Sequence, residues 1–411
     1  MFVYIARQPI FDRQKRLFAY EVLFRSSMDN TFPERMDSDE ATHGVLAHVL
    51  FNIGLDAITG PHRALINFTE NHLLNKTPLQ LPRQRCIVEI LESILPSPQV
   101  FEACKELKAQ GYTLALDDFD FNAQSEQLIP LMDIVKVDLR AIDLGRLADS
   151  MARMQRYPDV AWLAEKIENY QEFQLAQSLG FSYFQGYFLD KPEVLKNKTI
   201  DTVKVVLLNL LAEVCQPAVD LRRIEGMVTP DVALSYKLFR YINSAYYALP
   251  RNVTSIRYAL AYLGESGVRQ FVSLAAISEL SVGKSSELMR LSMVRARLCQ
   301  LLAASSRSGQ ADESQLFLLG LFSLLDAMLD MPMAELTSTL PLTDDLKDAL
   351  NQRSGPLAPY IQAVTAYEKG EFQECAAHLT QLGIVPGAMI DAYFTALTWA
   401  DAFAKNFLKQ D

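Results

Sequence analysis

Glu21, Asn67, Glu89, Asp117, Asp118, Lys136 and Glu165 are residues whose types could do chemistry together. Asp117 and Asp118 are neighbours in the stretch YTLALDDFDFNAQ, Tyr112 to Gln124. Adjacent carboxylates at a strand end repel each other, so a fold that keeps them there must neutralise them. The carboxylates of Glu21, Glu89, Asp117, Asp118 and Glu165, with the amide of Asn67, offer only oxygen. Such a set suits a hard divalent ion, Mg²⁺ or Mn²⁺, rather than a thiolate or imidazole zinc site. Without a metal it would be a group of mutually repelling anions with raised pKa values. With two ions, one aspartate can bridge them and a water between them is activated at neutral pH. Lys136, followed by Asp138 in the stretch KVD, can orient that water and offset charge in a phosphorane-like transition state. Each acid alone is more often a helix cap or a solvated loop residue. The ordered series carries the reading.

The elements that must position these side chains alternate up to about Pro192. Short apolar stretches (FVYIA, FAYEVLF, ALINFT, CIVEIL, TLALDD, DIVKVDL, VAWLAEK and YFQGYF) are predicted strands. Helical stretches lie between them, such as PQVFEACKELKAQG, where Phe101, Cys104 and Leu107 share a face and Gly111 is a stop signal. The alternation predicts a parallel sheet with crossover helices, open or closed. Glu21, Asn67, Glu89, Asp117, Lys136, Glu165 and Gln185 each sit within or just after one apolar run. From Asn67 onward they are separated by 22, 28, 19, 29 and 20 residues, each about one strand and helix. A barrel would bring them together at one end, whereas an open sheet would spread them along a line.

Half of the 411 residues are apolar and 21% are charged, the composition of a soluble globular chain of two or three domains. A net charge of −10 argues against nucleic acid or an anionic membrane as the main partner. Cys86, Cys104, Cys215, Cys299 and Cys375 are far apart, odd in number and without CxxC, which fits free thiols in a reducing cytoplasm. The stretch MFVYIARQPI meets Arg7 too soon for a secretory signal. The apolar run Leu316 to Leu325 is about half of what spans a bilayer. A cytoplasmic location is expected.

After Pro192 strand alternation fades and helical spacing dominates, with Leu234, Leu238 and Ile242 recurring every four residues. The expected fold is therefore α/β plus all-α. The histidines are His43, His48, His62, His72 and His378, so residues 79 to 377 contain none. A His-Asp metal site needs several imidazoles, and the helical half cannot build one. His378 alone reads as a helix-surface residue, and Asn243-Ser244 as small polar residues pairing with backbone between helices. Tyr241, Tyr246, Tyr247 and Tyr258 are dense enough for an interface, although most of them read as core.

The first half resembles the EAL-domain family, the cyclic-di-GMP phosphodiesterases, on residues 1 to 195. RQPIFDRQKRLFAYEVLFR looks like the family's Gln-Pro-Ile opening followed by its Glu-Ala-Leu-x-Arg signature, here Glu21-Val22-Leu23-Phe24-Arg25. INFTE, VEILES, LALDDF, VKVD, LAEKIE and FQGYFLDKP follow in the family's order. The resemblance implies a TIM-like barrel of the EAL type that binds cyclic-di-GMP and two Mg²⁺ or Mn²⁺ ions and yields the linear dinucleotide pGpG. It implies that Glu21, Asn67, Glu89 and Asp117 hold one ion, and Asp117, Asp118 and Glu165 the other. Lys136 would contact the attacking water and Gln185 would support it. Arg25 would meet a phosphate and Gln8 a guanine, with Leu23 and Asp138 also at the substrate; Glu92 would brace the loop after the aspartate pair. Where the family usually has Gly-Thr-Gly-Tyr-Ser, a loop that closes over the site and contributes to dimerisation, this chain has Asp120-Phe121-Asn122-Ala123-Gln124. Without the two glycines, positive φ is not reached cheaply.

The second half resembles the HDOD domain, a relative of HD and HD-GYP phosphohydrolases that lost their metal site. Pro230-Asp231, the run Leu-x-Arg-x-x-Asn-Ser-Ala ending at Ala245, Thr254-Ser255-Ile256 and Leu263-Gly264 carry that likeness. Together the halves are similar to YuxH-like EAL-HDOD signalling proteins: a barrel over 1–195, a linker over 196–201 and a helical domain over 202–411. Two readings follow. Either the barrel hydrolyses cyclic-di-GMP and the helical domain couples it to a protein partner, or the chain is a catalytically inactive cyclic-di-GMP receptor or scaffold. A homodimer is a further expected assembly; nucleic acid and membrane are not expected partners.

Overall fold

The computed structural model describes residues 4–25, 54–121, 125–140, 152–191, 202–216, 218–244, 247, 249–306 and 311–407. Each of the eight apolar stretches forms a strand: β1 (Tyr4–Asp12), β2 (Leu17–Arg25), β3 (Arg63–Phe68), β4 (Cys86–Ile90), β5 (Thr113–Leu116), β6 (Ile134–Asp138), β7 (Ala161–Ile167) and β8 (Tyr183–Gly186). They pair in sequence order into a closed barrel. The expectation of an all-parallel sheet needs one correction, because β1 runs antiparallel to both β2 and β8. Only residues 13–16 join β1 to β2, too few for a crossover helix. That turn is fastened by the Asp12 carboxylate, which accepts from the Gln14 and Arg16 amides at 2.8 and 2.9 Å.

Inside the barrel lies an apolar layer of Ile10, Ala19, Leu65, Ile87, Ala115, Ile134 and Leu163, with Tyr183 packed against it. Strand side chains alternate faces, so the residue two positions further along each parallel strand also points inward. Those residues are Glu21, Asn67, Glu89, Asp117, Lys136, Glu165 and Gln185. On the antiparallel β1 the corresponding residue precedes the layer, at Gln8. The apolar layer is thus the floor on which these eight polar side chains stand.

The crossover helices bury one stripe against the strands. In α1 (Pro98–Ala109) the buried positions are Val100, Cys104 and Leu107, with Ser97 capping the N-terminus through the Val100 amide. Phe101 is only half-buried, so the stripe starts one residue earlier than its spacing with Cys104 suggested. The helix α2 (Tyr170–Ser178) is capped by Asn169 and buries Phe173 and Ala176.

From Thr202 onward the described elements are all helical. Asp231 caps α3 (Val232–Ile242), whose buried face carries Leu234, Leu238 and Ile242 at the expected spacing. Ser255 caps α4 (Ile256–Leu280), which is interrupted at Gly264, where φ is 63°. The long α5 (Ser286–Ser305) and α6 (Glu313–Phe322) cross so closely that a Cβ on Gly320 would lie 2.2 Å from the Arg295 carbonyl oxygen. α7 (Pro386–Phe407) is tied to α5 by Arg290, whose Nε donates to Asp401 at 2.7 Å.

The chain divides into two compact units. One comprises Met1–Leu189 with Tyr367–Gln373, the other Asp190–Ala366 with Glu374–Asp411. The expected linker, 196–201, lies outside the described residues. Among the described residues no helix is long and apolar enough to cross a membrane.

Candidate active site

Lys136 stands at the centre of the polar layer, and its side chain is 1% exposed. The ammonium reaches Glu89 Oε1 at 2.5 Å, Asp117 Oδ1 at 2.8 Å, Glu165 Oε1 at 2.9 Å and Glu21 Oε2 at 3.3 Å. These acids come from β2, β4, β7 and the first residue after β5, so only a closed barrel lets one lysine touch all four. The convergence that separates a barrel from an open sheet is therefore present. Burial alone would lower the Lys136 pKa, but the surrounding carboxylates outweigh it and hold it well above the usual lysine value. Burial drives Glu89 the other way, well above the ordinary carboxylate range. Lys136 opposes that rise, while Glu21 and Asp117 add to it. Glu165 is pushed up to about 8, again chiefly by burial. One ammonium does not fully compensate this many buried acids.

The aspartate pair is separated by its backbone. Asp117 continues the ladder through its amide to the Ile90 carbonyl at 2.9 Å, and Phe119 donates to the Lys136 carbonyl at 2.9 Å. Between them Asp118 takes φ 38°, which turns the second carboxylate away from the first. Asp117, Asp118 and Glu165 each still offer one oxygen within 4.8 Å of the others, a spacing that one cation can span. The donor set fits a hard cation in a second respect. Four buried oxygens at this level (Asn67 Oδ1, Glu89 Oε2, Glu165 Oε2 and Gln185 Oε1) have no hydrogen-bond partner among the described residues. Buried acceptors left without a donor are costly, and a bound cation is the partner that satisfies several at once.

Gln185 links this layer to β1. Its Nε2 donates to Glu21 Oε2 at 2.6 Å and to Gln8 Oε1 at 3.0 Å, while Gln8 Nε2 donates to the Tyr187 hydroxyl at 3.3 Å. Leu23 is half-buried on β2; the side chain of Arg25 lies outside the described residues. Asp138 ends β6, where it accepts from the Arg140 amide at 2.9 Å and from Lys166 Nζ at 2.8 Å. Glu92 is exposed in the turn after β4, and residues 122–124 of the loop it was expected to brace lie outside the described residues.

Sequence reasoning missed two features. The first is Lys166, one residue beyond Glu165, with φ 57° and its ammonium 3.7 Å from Asp118 Oδ1. The second is the support under the altered loop. Positive φ is reached without glycine, at Asp118 and at Phe121 (φ 61°). Phe121 packs against Phe119 with ring centroids 4.9 Å apart and lies parallel to Trp162 at 6.5 Å. Arg153 sits over its ring, donates to its carbonyl oxygen at 2.5 Å and pairs with Glu126. Aromatic packing and an arginine clasp offset the strain of the positive φ at Phe121.

In the helical unit Asn243 both donates to the Val253 carbonyl at 2.9 Å and accepts from the Val253 amide at 2.7 Å. Ser244 Oγ donates to the Tyr241 carbonyl at 2.7 Å, so this pair fastens backbone, as its residue types suggested. Tyr241 is buried, Tyr247 half-buried and Tyr258 exposed; Ala245 and Tyr246 lie outside the described residues. His378 is half-buried on a helix, 3.8 Å from Glu374.

Comparison with known proteins identifies the family. The EAL domain model matches residues 3–192 and the HDOD domain model residues 200–330. The cyclic di-GMP phosphodiesterase CdgJ of Vibrio cholerae serotype O1 is 41% identical over 381 residues, covering 92% of this chain and 88% of CdgJ. The uncharacterized protein YuxH of Bacillus subtilis is 32% identical over 410 residues, covering 97% of this chain and 98% of YuxH. The crystal structure of a standalone EAL protein from Vibrio cholerae O395, in its c-di-GMP-bound form, is 24% identical. It covers 45% of this chain and 90% of that one, with a TM-score of 0.37. The chain belongs to the EAL-domain family and carries an HDOD domain behind its EAL domain.

Proposed function

We propose that the barrel binds cyclic-di-GMP and hydrolyses one of its phosphodiester bonds to give pGpG, using two divalent ions, Mg²⁺ or Mn²⁺. The observation that carries this reading is the set of buried oxygens of Asn67, Glu89, Glu165 and Gln185 left without donors around an acid cluster. Homology to a cyclic di-GMP phosphodiesterase over nearly the full chain supplies the substrate. In the reaction, water oxygen forms a new bond to phosphorus and the bond to the bridging 3′ oxygen breaks. The water's proton ends on the leaving oxygen.

When bound, the ions supply positive charge for the phosphoryl oxygens and acidify a water. Glu21, Asn67, Glu89 and Asp117 would hold one, and Asp117, Asp118 and Glu165 the other. Lys136 keeps its proton among the carboxylates and donates it in a hydrogen bond that orients the attacking water. Gln185 fixes the Glu21 carboxylate and the Gln8 side chain through one amide nitrogen, and Gln8 would exchange its long bonds to Tyr187 and Lys369 for a guanine edge. Arg25 would meet a phosphate, and Leu23 and Asp138 would line the same substrate. The helical domain, whose one histidine, His378, cannot build a second metal site, couples the barrel to a protein partner in the cytoplasm.

A second reading, an inactive cyclic-di-GMP receptor, is favoured by one observation, the Lys166 ammonium beside Asp118. Calorimetric titration of Mn²⁺ into the full-length, chelator-treated protein and its Glu89→Gln variant tests the assignment. Binding that weakens at least tenfold in the variant supports it. Equal binding in both would remove Glu89 from the metal ligands.

A further inference from the structure

Lys166 stands where strand alternation would not place a charge. In β7 the inward side chains are Leu163 and Glu165, so Lys166 should turn outward. Instead the pairing of β7 with β8 shifts register between Ala164 and Ile167, and Lys166 takes φ 57°. A lysine in this conformation is strained, and strain of this kind persists only where surrounding structure holds it. Here the holder is Asp138, whose Oδ2 accepts from Lys166 Nζ at 2.8 Å. The same ammonium lies 3.7 Å from Asp118 Oδ1, the acid that completes the group of Asp117, Asp118 and Glu165.

We infer that Lys166 is a tethered cation that competes with the divalent ion at Asp117, Asp118 and Glu165 and selectively weakens the binding of that ion. The inference rests on the proposed two-ion reading. Asp138 keeps the ammonium from leaving, and the lysine is half exposed, so its field is screened by solvent but not abolished. A unit charge a few ångströms from a divalent ion in a largely aqueous setting lowers its affinity about tenfold. Lys136 touches ligands of both ions and does not distinguish them, whereas the Lys166 ammonium pairs with Asp118 and Asp138, so the ion held by Glu21, Asn67, Glu89 and Asp117 should feel less of it.

The test is Mn²⁺ binding to full-length protein, followed by calorimetry and by the loss of the free-ion paramagnetic resonance signal, with no substrate present. Wild type is compared with Lys166→Met, which removes charge and keeps the stem, and with Lys166→Arg, which keeps charge. The expected result is two classes of site in wild type, one of which tightens about tenfold in Lys166→Met and is unchanged in Lys166→Arg, with the gain shrinking as salt rises. Lys166→Gly should tighten it equally and also raise the melting temperature, because glycine removes the strain at positive φ. Two classes unchanged in Lys166→Met would overturn the inference while leaving the two-ion reading standing. No Mn²⁺ bound by wild type or any variant would overturn both.

Discussion

Replacing Lys136 with methionine removes the cation and keeps most of the volume, so the change isolates charge. In the metal-free protein it leaves four acids, the buried Glu89 among them, without a counter-charge. Deleting one partner of a buried ion pair costs ~3–5 kcal/mol. For a unit as large as Met1–Leu189, that is a fall of roughly 6–20 °C in melting temperature. The sign of the pH dependence follows from the raised pKa values. Glu165, at about 8 when folded, and Glu89, also raised, bind protons in the folded state that the unfolded chain has released. Stability therefore falls as pH rises from the ordinary carboxylate range through the folded values, and more steeply once Lys136 is gone. The assay is thermal unfolding in chelator at pH 5.5 and pH 8.5, read by the fluorescence of Trp162 on β7 in a Trp399→Phe background. The variant should be far weaker than its parent at the higher pH and closer to it at the lower. Millimolar Mn²⁺ should restore more stability to the variant than to the parent, since a divalent ion takes over the lost charge. A Lys136→Met protein that melts within roughly 2 °C of its parent at pH 8.5 in chelator would refute this electrostatic account.

Gly186→Ala should destabilise the barrel by about 3 kcal/mol, because the added Cβ would meet the Ile167 carbonyl oxygen at 2.1 Å with φ already at 144°; denaturant unfolding reads this directly. Asn243→Ala, by stripping both hydrogen bonds to Val253, should lower the stability of the helical unit by ~1–3 kcal/mol, with the barrel transition left in place in calorimetry. Arg153→Ala should free the loop after Asp118, seen as faster amide exchange at Phe119 and Phe121. Arg153 holds the Glu126 carboxyl below its ordinary range, so this clasp is intact above that range and is lost as pH falls through the lowered value. The exchange difference between variant and parent should vanish on acidification.

Much of the barrel was legible because its signal repeats. Each strand carries an apolar residue and, two positions on, a polar one, as in Ala19 and Glu21 or Ile134 and Lys136. A period of two survives in sequence whatever surrounds it. Closure could be framed but not settled there, since convergence of Glu21, Glu89, Asp117 and Glu165 on one lysine is a property of strand pairing. The antiparallel β1 followed from a short connection that was visible but not weighed. Lys166 was unreadable, because alternation sends it outward and only a register shift with a positive φ returns its ammonium to Asp118 and Asp138. The loop after Asp118 was legible only in part. Missing glycines were legible, whereas the compensation by Phe119, Trp162 and Arg153 comes from residues up to 41 positions from Phe121.

Turnover bears on the proposed activity more directly than any stability or binding measurement. Purified full-length protein is incubated with cyclic-di-GMP and Mg²⁺, then Mn²⁺, and the products are resolved by chromatography beside the Glu21→Ala variant. Metal-dependent pGpG from the parent and none from the variant is the expected outcome. Intact cyclic-di-GMP under both metals, or pGpG formed equally by Glu21→Ala, would contradict it.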